Sequence, residues 1–167
     1  MVLTTPRATG DDDGLAATLT AYLDAYRLQL IEGVLTLQES TRRRPATPSG
    51  WTPLQLLVHL TFVERRWIEW GFEGKAFDNP FGDHRDDKWF VDDDIPLEVL
   101  VSELKAQGIH TAHVLQSVPL STIGAESPRW EGSAPPTLER IALHLMGEYA
   151  RHLGHLDIVI ELGTTVT

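Results

Sequence analysis

The chain has 167 residues, no cysteine and a formal net charge of −10 at pH 7. The lack of cysteine excludes disulfides, a protein thiol nucleophile and cysteine-ligated zinc. The acidic balance argues against a sequence-general nucleic-acid binder, which needs a basic face to replace phosphate counterions, and against docking on an anionic membrane.

This length predicts one domain over residues 1–167 with a sizeable core. We expect residues 1–12 to form a flexible polar segment, and they lack the apolar stretch of a signal peptide. No run approaches ~18 uninterrupted apolar residues, so no membrane span is predicted. We therefore expect a cytoplasmic protein.

The first predicted helix runs from about Asp13 to about Leu37, because apolar residues recur there at spacings of three and four. Three arginines, Arg42 to Arg44, and the segment PATPSG follow it and predict a loop. The arginines are interpreted as surface charge, with the alternative that one of them binds an anionic group of a ligand.

The second helix has a strong start signal, since Thr52, Pro53 and Gln55 fit a capping box with proline at the first helical position. We expect it to end near Trp70 or Phe72. His59 lies inside it among leucine and valine, so both of its ring nitrogens need partners. Two interpretations remain open: a core histidine bonded to a backbone carbonyl, or a metal ligand.

Residues 73–94 predict an unusually long loop, and such loops are often functional. Its phenylalanines and Trp89 are expected to pack it onto the domain. His84 with Asp83, Asp86 and Asp87 is compatible with a metal site, but we interpret the segment as a solvated acidic turn. A loop of this kind fixes ligand geometry less well than a helix does.

The third predicted helix opens at Pro96, with Asp94 as its cap, and ends near Val118. His110 and His113 within it are interpreted as partly exposed helix residues rather than as a metal-binding pair. A polar connection over residues 119–136 follows, with Trp130 as its apolar anchor.

The last helix is predicted from a cap at Thr137 to a stop at Gly163. Its metal-competent residues share one face, because their spacings are four, four and three: His144, Glu148, His152 and His155. Glu148 and His152 lie one turn apart and are placed to hold one cation together. A third ligand must come from another element, and His59 is the best candidate.

Four long helices without a convincing strand predict an all-α fold, an antiparallel four-helix bundle with two long connecting loops. Metal sites in bundles are built by side chains that point inward from facing helices. Two imidazoles and one carboxylate suit zinc best, and also nickel, iron or manganese. Three protein ligands leave positions for water or substrate, as in catalytic sites.

The segments GWTPLQLLVHLTFVERRW and EYARHLGHLDIVIE resemble the DinB-like (YfiT-like) superfamily of four-helix-bundle metalloenzymes. The resemblance runs from the first helix to Leu162 and is closest to an actinobacterial-type branch related to mycothiol-dependent maleylpyruvate isomerases. It implies a divalent metal held by His59, Glu148 and His152. Most members have histidine where Glu148 stands, but the isomerases also use a His, Glu, His set. The family further implies a homodimer.

The resemblance implies a metal-dependent thiol S-transferase or isomerase-like enzyme. The metal would activate a low-molecular-weight thiol of the mycothiol type, supplied from outside, for attack on an electrophilic substrate. His155 is the acid/base candidate; alternatively it is a fourth metal ligand or a hydrogen-bonding partner of a metal-binding residue. His144 is interpreted as such a hydrogen-bonding partner. Arg66 or one of Arg42 to Arg44 would orient an anionic thiol or substrate.

Two alternatives stay open. In the first, the bundle is a non-catalytic metal-binding or stress-related protein whose site is structural or a relic. In the second, the bundle binds no metal and the histidines fill a polar core. The exposure of the metal site distinguishes the first alternative from an enzyme, because a catalytic metal faces a cleft. A structural site would be sealed by the 73–94 loop and by Trp67 or Trp130.

Overall fold

The computed structural model describes residues 14–45 and 47–164. The expected flexible segment at residues 1–12 and the predicted helix start at Asp13 lie outside the described residues. The described part contains five α-helices: α1 (Leu15–Thr36), α2 (Glu39–Arg42), α3 (Pro53–Arg65), α4 (Leu97–Ser117) and α5 (Leu138–Thr164).

The four long helices form a bundle, which confirms the all-α prediction. Helix α1 packs mainly against α5 and α4, and α3 lies against α4 and α5. Leucine side chains from all four helices fill the interior, including Leu23, Leu57, Leu104 and Leu145. None of the described helices combines the length and apolarity that a membrane crossing requires.

The start of α3 follows the predicted capping box. The Thr52 hydroxyl accepts from the Gln55 backbone N–H at 3.2 Å, and the Gln55 side chain accepts from the Thr52 backbone N–H at 3.0 Å. The predicted cap at Asp94 is wrong, because Pro96 precedes α4 and no side chain caps it. Helix α5 also continues one residue past Gly163.

Helix α3 continues as a π-helix over Arg66–Phe72. π-Helical turns widen the helix, change which side chains face inward and are frequent at functional sites. Here the segment brings Arg66 to the connection after α3 and Trp67 to α5. Gly71 belongs to the same segment, and a Cβ atom there would lie 2.7 Å from the Trp130 ring. The Trp130 ring, from the connection before α5, occupies the space that a side chain at position 71 would need.

The connection between α3 and α4 contains a β-hairpin, where the sequence predicted only a loop. Strand β1 (His84–Arg85) pairs with β2 (Lys88–Trp89), with His84 opposite Trp89. Asp86 and Asp87 form the turn with φ of 51° and 59°, the left-handed values that tight hairpin turns use. Strands of two residues are too short to show an alternating pattern. The backbone N–H of Phe90 donates to the Asp83 carbonyl at 2.7 Å, so Asp83 and Trp89 lie at the same end of the hairpin.

A buried polar network joins the helices. The carboxylate of Glu64, fully buried on α3, accepts from Arg27 of α1 at 2.6 and 2.9 Å. It also accepts from the hydroxyls of Thr111 on α4 and Tyr149 on α5, both at 2.5 Å. Because hydrogen bonds require specific distances, this network fixes the register of α5 against α3. Tyr149 is adjacent to Glu148 in the chain, so the network also fixes the position of the Glu148 carboxylate along α5 relative to α3.

Candidate metal centre

His59, Glu148 and His152 meet between α3 and α5. Each offers one ligand atom, and these atoms all lie within 4.8 Å of one another. The His152 Nε2 atom is 3.3 Å from Glu148 Oε2, as the one-turn spacing on α5 predicts. The rings of His59 and His152 are 5.1 Å apart and nearly perpendicular. The structure therefore brings two imidazoles and one carboxylate to one point.

The orientation of His59 is set by Asp83. The Nδ1 atom of His59 lies 2.9 Å from Asp83 Oδ2. A carboxylate accepts hydrogen bonds, so His59 carries a proton on Nδ1, and Nε2 is the ring nitrogen that could bind a metal. Histidines that bind metals commonly donate their other ring N–H to a carboxylate in this way. The arrangement fits a ligand better than it fits a core histidine bonded to a backbone carbonyl.

Asp83 is held from several sides. It is fully buried, and Arg66 donates to its two oxygens at 2.6 and 3.2 Å. His84 Nδ1 lies 3.0 Å from Oδ1 without making a hydrogen bond. Burial alone would raise the pKa of Asp83, but the hydrogen bonds from His59 and Arg66 outweigh it and hold the pKa below its ordinary value. Asp83 is therefore ionised when it orients His59.

His152 is neutral over the physiological range. It is 5% exposed, and burial, reinforced by the nearby His59 and His155, lowers its pKa to about 3. A neutral imidazole is the form that binds a metal. Its Nδ1 atom lies 3.4 Å from Nδ1 of His155, which leaves Nε2 toward Glu148. The donor chemistry of the three residues thus suits a divalent transition metal.

The ligand atoms of a second set of residues also lie within 4.8 Å of one another, namely those of His59, Asp83 and His84. The Asp83 carboxylate is already occupied by the Arg66 guanidinium and by His59. A cation placed there would lie against the arginine charge. Among the residues that the structure describes, no cationic side chain lies within hydrogen-bonding distance of the first set, so that set is the better candidate.

The centre is open on the side of Glu148. The side chains of Glu148 and His144 are 24% and 36% exposed, and His144 Nε2 lies 3.5 Å from Glu148 Oε1. Trp67 packs on the His144 ring with centroids 3.9 Å apart. Burial lowers the pKa of His144, with the Glu148 charge opposing the shift. Trp67 therefore lies beside the centre and Trp130 packs on Trp67, and neither seals the Glu148 carboxylate.

Other predicted candidates lie elsewhere. Arg42 donates to the carbonyls of Val34 and Leu35 at the end of α1, and Arg43 pairs with Asp93. The interpretation of His110 as a partly exposed helix residue agrees with its contact to Glu73 at 2.7 Å. Of the arginines considered, only Arg66 has a hydrogen bond to a residue that contacts a candidate metal ligand: it donates to Asp83, which contacts His59.

Sequence reasoning missed two residues of the centre. Asp83 was interpreted as part of a solvated turn, but it is buried beside His59. Trp89 was expected to anchor the loop, but its ring stacks on His59 with centroids 4.2 Å apart and an interplanar angle of 17°. Residues six apart in a loop carry no periodic signal. Only the turn at Asp86 and Asp87 brings them together.

A family model described as Mycothiol-S-transferase matches residues 18–164. The match covers most of the chain, including every residue of the candidate centre. The chain therefore belongs to the mycothiol S-transferase family, a member of the DinB-like superfamily, as the motifs of α3 and α5 predicted. No curated protein matches the sequence.

Proposed function

We propose that the protein is a divalent-metal-dependent S-transferase that activates a low-molecular-weight thiol, mycothiol, for attack on an electrophile. The observation that carries the proposal is the convergence of His59, Glu148 and His152 in a member of the mycothiol S-transferase family. The chain has no cysteine, so the sulfur must come from a second molecule.

In this proposal the three side chains hold the metal, with zinc as the first choice for two imidazoles and a carboxylate. A bound divalent metal supplies Lewis-acid chemistry, which lowers the pKa of a thiol so that the nucleophilic thiolate is available near neutral pH. The partly exposed side chain of Glu148 shows that the centre is not sealed from a second molecule. Asp83 keeps His59 in the required tautomer.

His155 is the proposed acceptor of the thiol proton. It is partly exposed, one turn beyond His152, and its Nδ1 atom is 3.4 Å from the Nδ1 atom of that residue. Its Nε2 atom makes no hydrogen bond to any other described residue. During transfer the sulfur forms a bond to the electrophilic carbon, the leaving group departs with its bonding electrons, and the thiol proton passes to His155.

The test is conjugation of mycothiol to chlorodinitrobenzene, followed by mass spectrometry of the thioether and by chloride release. We expect conjugation by zinc-loaded protein, loss of the activity after chelation, and recovery when zinc is restored. The His59→Ala and Glu148→Ala variants should be inactive.

Stoichiometric metal without conjugation of any of several thiols or electrophiles would contradict the proposal. That outcome would favour the alternative of a non-catalytic metal-binding bundle. The partly exposed carboxylate of Glu148 argues for the catalytic function, because a structural centre has no need of an open side.

A further inference from the structure

A cleft opens next to the candidate metal centre, at the start of α3. It has a volume of about 600 Å³, within the range of small-molecule sites. Trp51 and Trp89 both line it and pack on each other, with ring centroids 6.3 Å apart and planes inclined by 54°. Gln55 lies at its base, four residues and thus one helical turn before His59. We call this space the tryptophan cleft.

Trp89 contacts the metal centre, and Trp51 contacts His155 beside it. Trp89 stacks on His59 and lies 5.4 Å from the ring of His152. Trp51 lies 6.0 Å from the ring of His155. A ligand in the cleft therefore contacts the same tryptophan ring that stacks on His59.

The lining of the cleft is aromatic and polar but carries no net charge. The opposite charges of Asp87 and Lys88 cancel, and Ser49 and Gln55 add neutral polar groups. Among the residues that the structure describes, the indole N–H groups of Trp51 and Trp89 and the side-chain nitrogen of Gln55 donate no hydrogen bond. These donors remain available to a ligand.

This combination points to a neutral ligand with many hydroxyl groups. The apolar C–H face of a sugar ring packs on an aromatic ring, while its hydroxyls bond to polar groups around it. An anionic ligand would find only one compensating charge, Lys88, beside the carboxylate of Asp87. A purely apolar ligand would leave the free donors unpaired.

We propose that the tryptophan cleft binds the sugar portion of the thiol that reacts at the metal centre. Mycothiol is N-acetylcysteine joined by an amide to glucosamine, which carries inositol. The cysteinyl arm carries the sulfur away from the sugar, and Gln55 of the cleft lies one helical turn before His59. The proposal rests on the proposed function, and it makes Trp51 and Trp89 determinants of thiol specificity.

The first test uses the sugar without its sulfur, so that it is independent of transfer. N-acetylated glucosaminyl-inositol is titrated calorimetrically into zinc-loaded protein. We expect saturable binding to one site per chain. Trp51→Ala should weaken it at least tenfold, and Ser49→Trp, which fills the cleft from its exposed rim, should weaken it to a similar extent. Trp70→Ala is the matched control, because Trp70 is a partly exposed tryptophan outside the cleft.

The second test compares mycothiol with N-acetylcysteine, which lacks the sugar, as substrates for conjugation. The ratio of kcat/KM for the two thiols should favour mycothiol in the wild type. It should fall at least tenfold in Trp51→Ala and Ser49→Trp but not in Trp70→Ala.

The outcomes separate the two proposals. Absence of sugar binding by the wild type, or a selectivity ratio that Trp51→Ala and Ser49→Trp leave intact, would overturn the assignment of the cleft while transfer itself is retained. Sugar binding that these variants abolish, in a protein that conjugates no thiol, would support the cleft and count against the transferase function. Since Ser49 is exposed, its variant remains informative if Trp51→Ala fails to fold.

Discussion

Asp83 Oδ2 accepts a hydrogen bond from His59 Nδ1 at 2.9 Å, and it does so as a fully buried carboxylate held by Arg66. The two residues come from different elements, since His59 lies on α3 and Asp83 directly precedes β1. The contact fixes the ring that turns toward Glu148 and His152. Asp83 is therefore a positioning residue for the candidate metal centre.

Asp83→Asn is expected to weaken zinc binding by about 10- to 100-fold, the usual effect of removing a partner of a ligating histidine. Asparagine keeps the size of the side chain but loses the charge that favours the required tautomer. Competition titration against a zinc chelator measures the change. Asp86→Asn, in the exposed hairpin turn, should bind zinc as the wild type does. Equal affinity in both variants would show that His59 needs no carboxylate.

Glu148→Ala is expected to abolish stoichiometric zinc binding, whereas His144→Ala should retain it. Both side chains lie on the same face of α5, but only Glu148 is within 4.8 Å of the ligand atoms of His59 and His152. Elemental analysis of purified protein gives the stoichiometry. Zinc loss in His144→Ala with retention in Glu148→Ala would exchange their roles.

Glu64→Ala is expected to lower the free energy of unfolding by about 3–5 kcal/mol, because it removes the buried partner of the Arg27 charge and leaves only the exposed carboxylate of Asp24. Burial alone would lower the pKa of Arg27, but Glu64 outweighs it and raises the pKa, so the guanidinium stays charged. Denaturant titration measures the loss. Asp93→Ala breaks an exposed pair with Arg43 and should have little effect. A similar small effect of Glu64→Ala would mean that the network contributes nothing to stability.

Gly108→Ala is expected to destabilise the protein, although alanine is favoured over glycine in a helix by about 1 kcal/mol. A Cβ atom at Gly108 would lie 2.7 Å from Cδ of Arg27, which cannot move without breaking its bonds to Glu64. Gly147→Ala on α5 meets no atom within 4 Å and should be stabilising. Opposite signs in thermal unfolding are the expected result, and two stabilising substitutions would show that Arg27 is free to shift.

Metal-free protein is expected to lose stability as the pH falls from about 6.5 toward 3. The pKa of His152 is lower in the folded chain than its ordinary value of 6.5, so the unfolded chain binds more protons in this window. The stability is fully present above pH 6.5. Denaturant titrations between pH 7 and about 4.5 should show a shallower slope in His152→Gln than in the wild type or in His113→Gln, an exposed control on α4. Equal slopes in all three would contradict the burial of a neutral His152.

The sequence determined the bundle and one half of the candidate centre. Helical periodicity and the capping box at Thr52 predicted α1, α3, α4 and α5 closely, because these signals are local to each helix. The four-residue spacing of Glu148 and His152 placed both on one face for the same reason. His59 followed as the best third residue. The sequence could not decide whether it is a core histidine or a metal ligand, because its partner Asp83 lies in another element.

Tertiary structure decided everything that depends on residues distant in the chain. The hairpin turn at Asp86 and Asp87 brings Asp83 and Trp89 to His59, and no periodic pattern announces strands of two residues. The same limit hid the match between Gly108 and Arg27, where a missing side chain on one helix makes room for a charge on another. Spacing along one helix is geometry that the backbone imposes, whereas contacts between elements depend on how the whole chain packs.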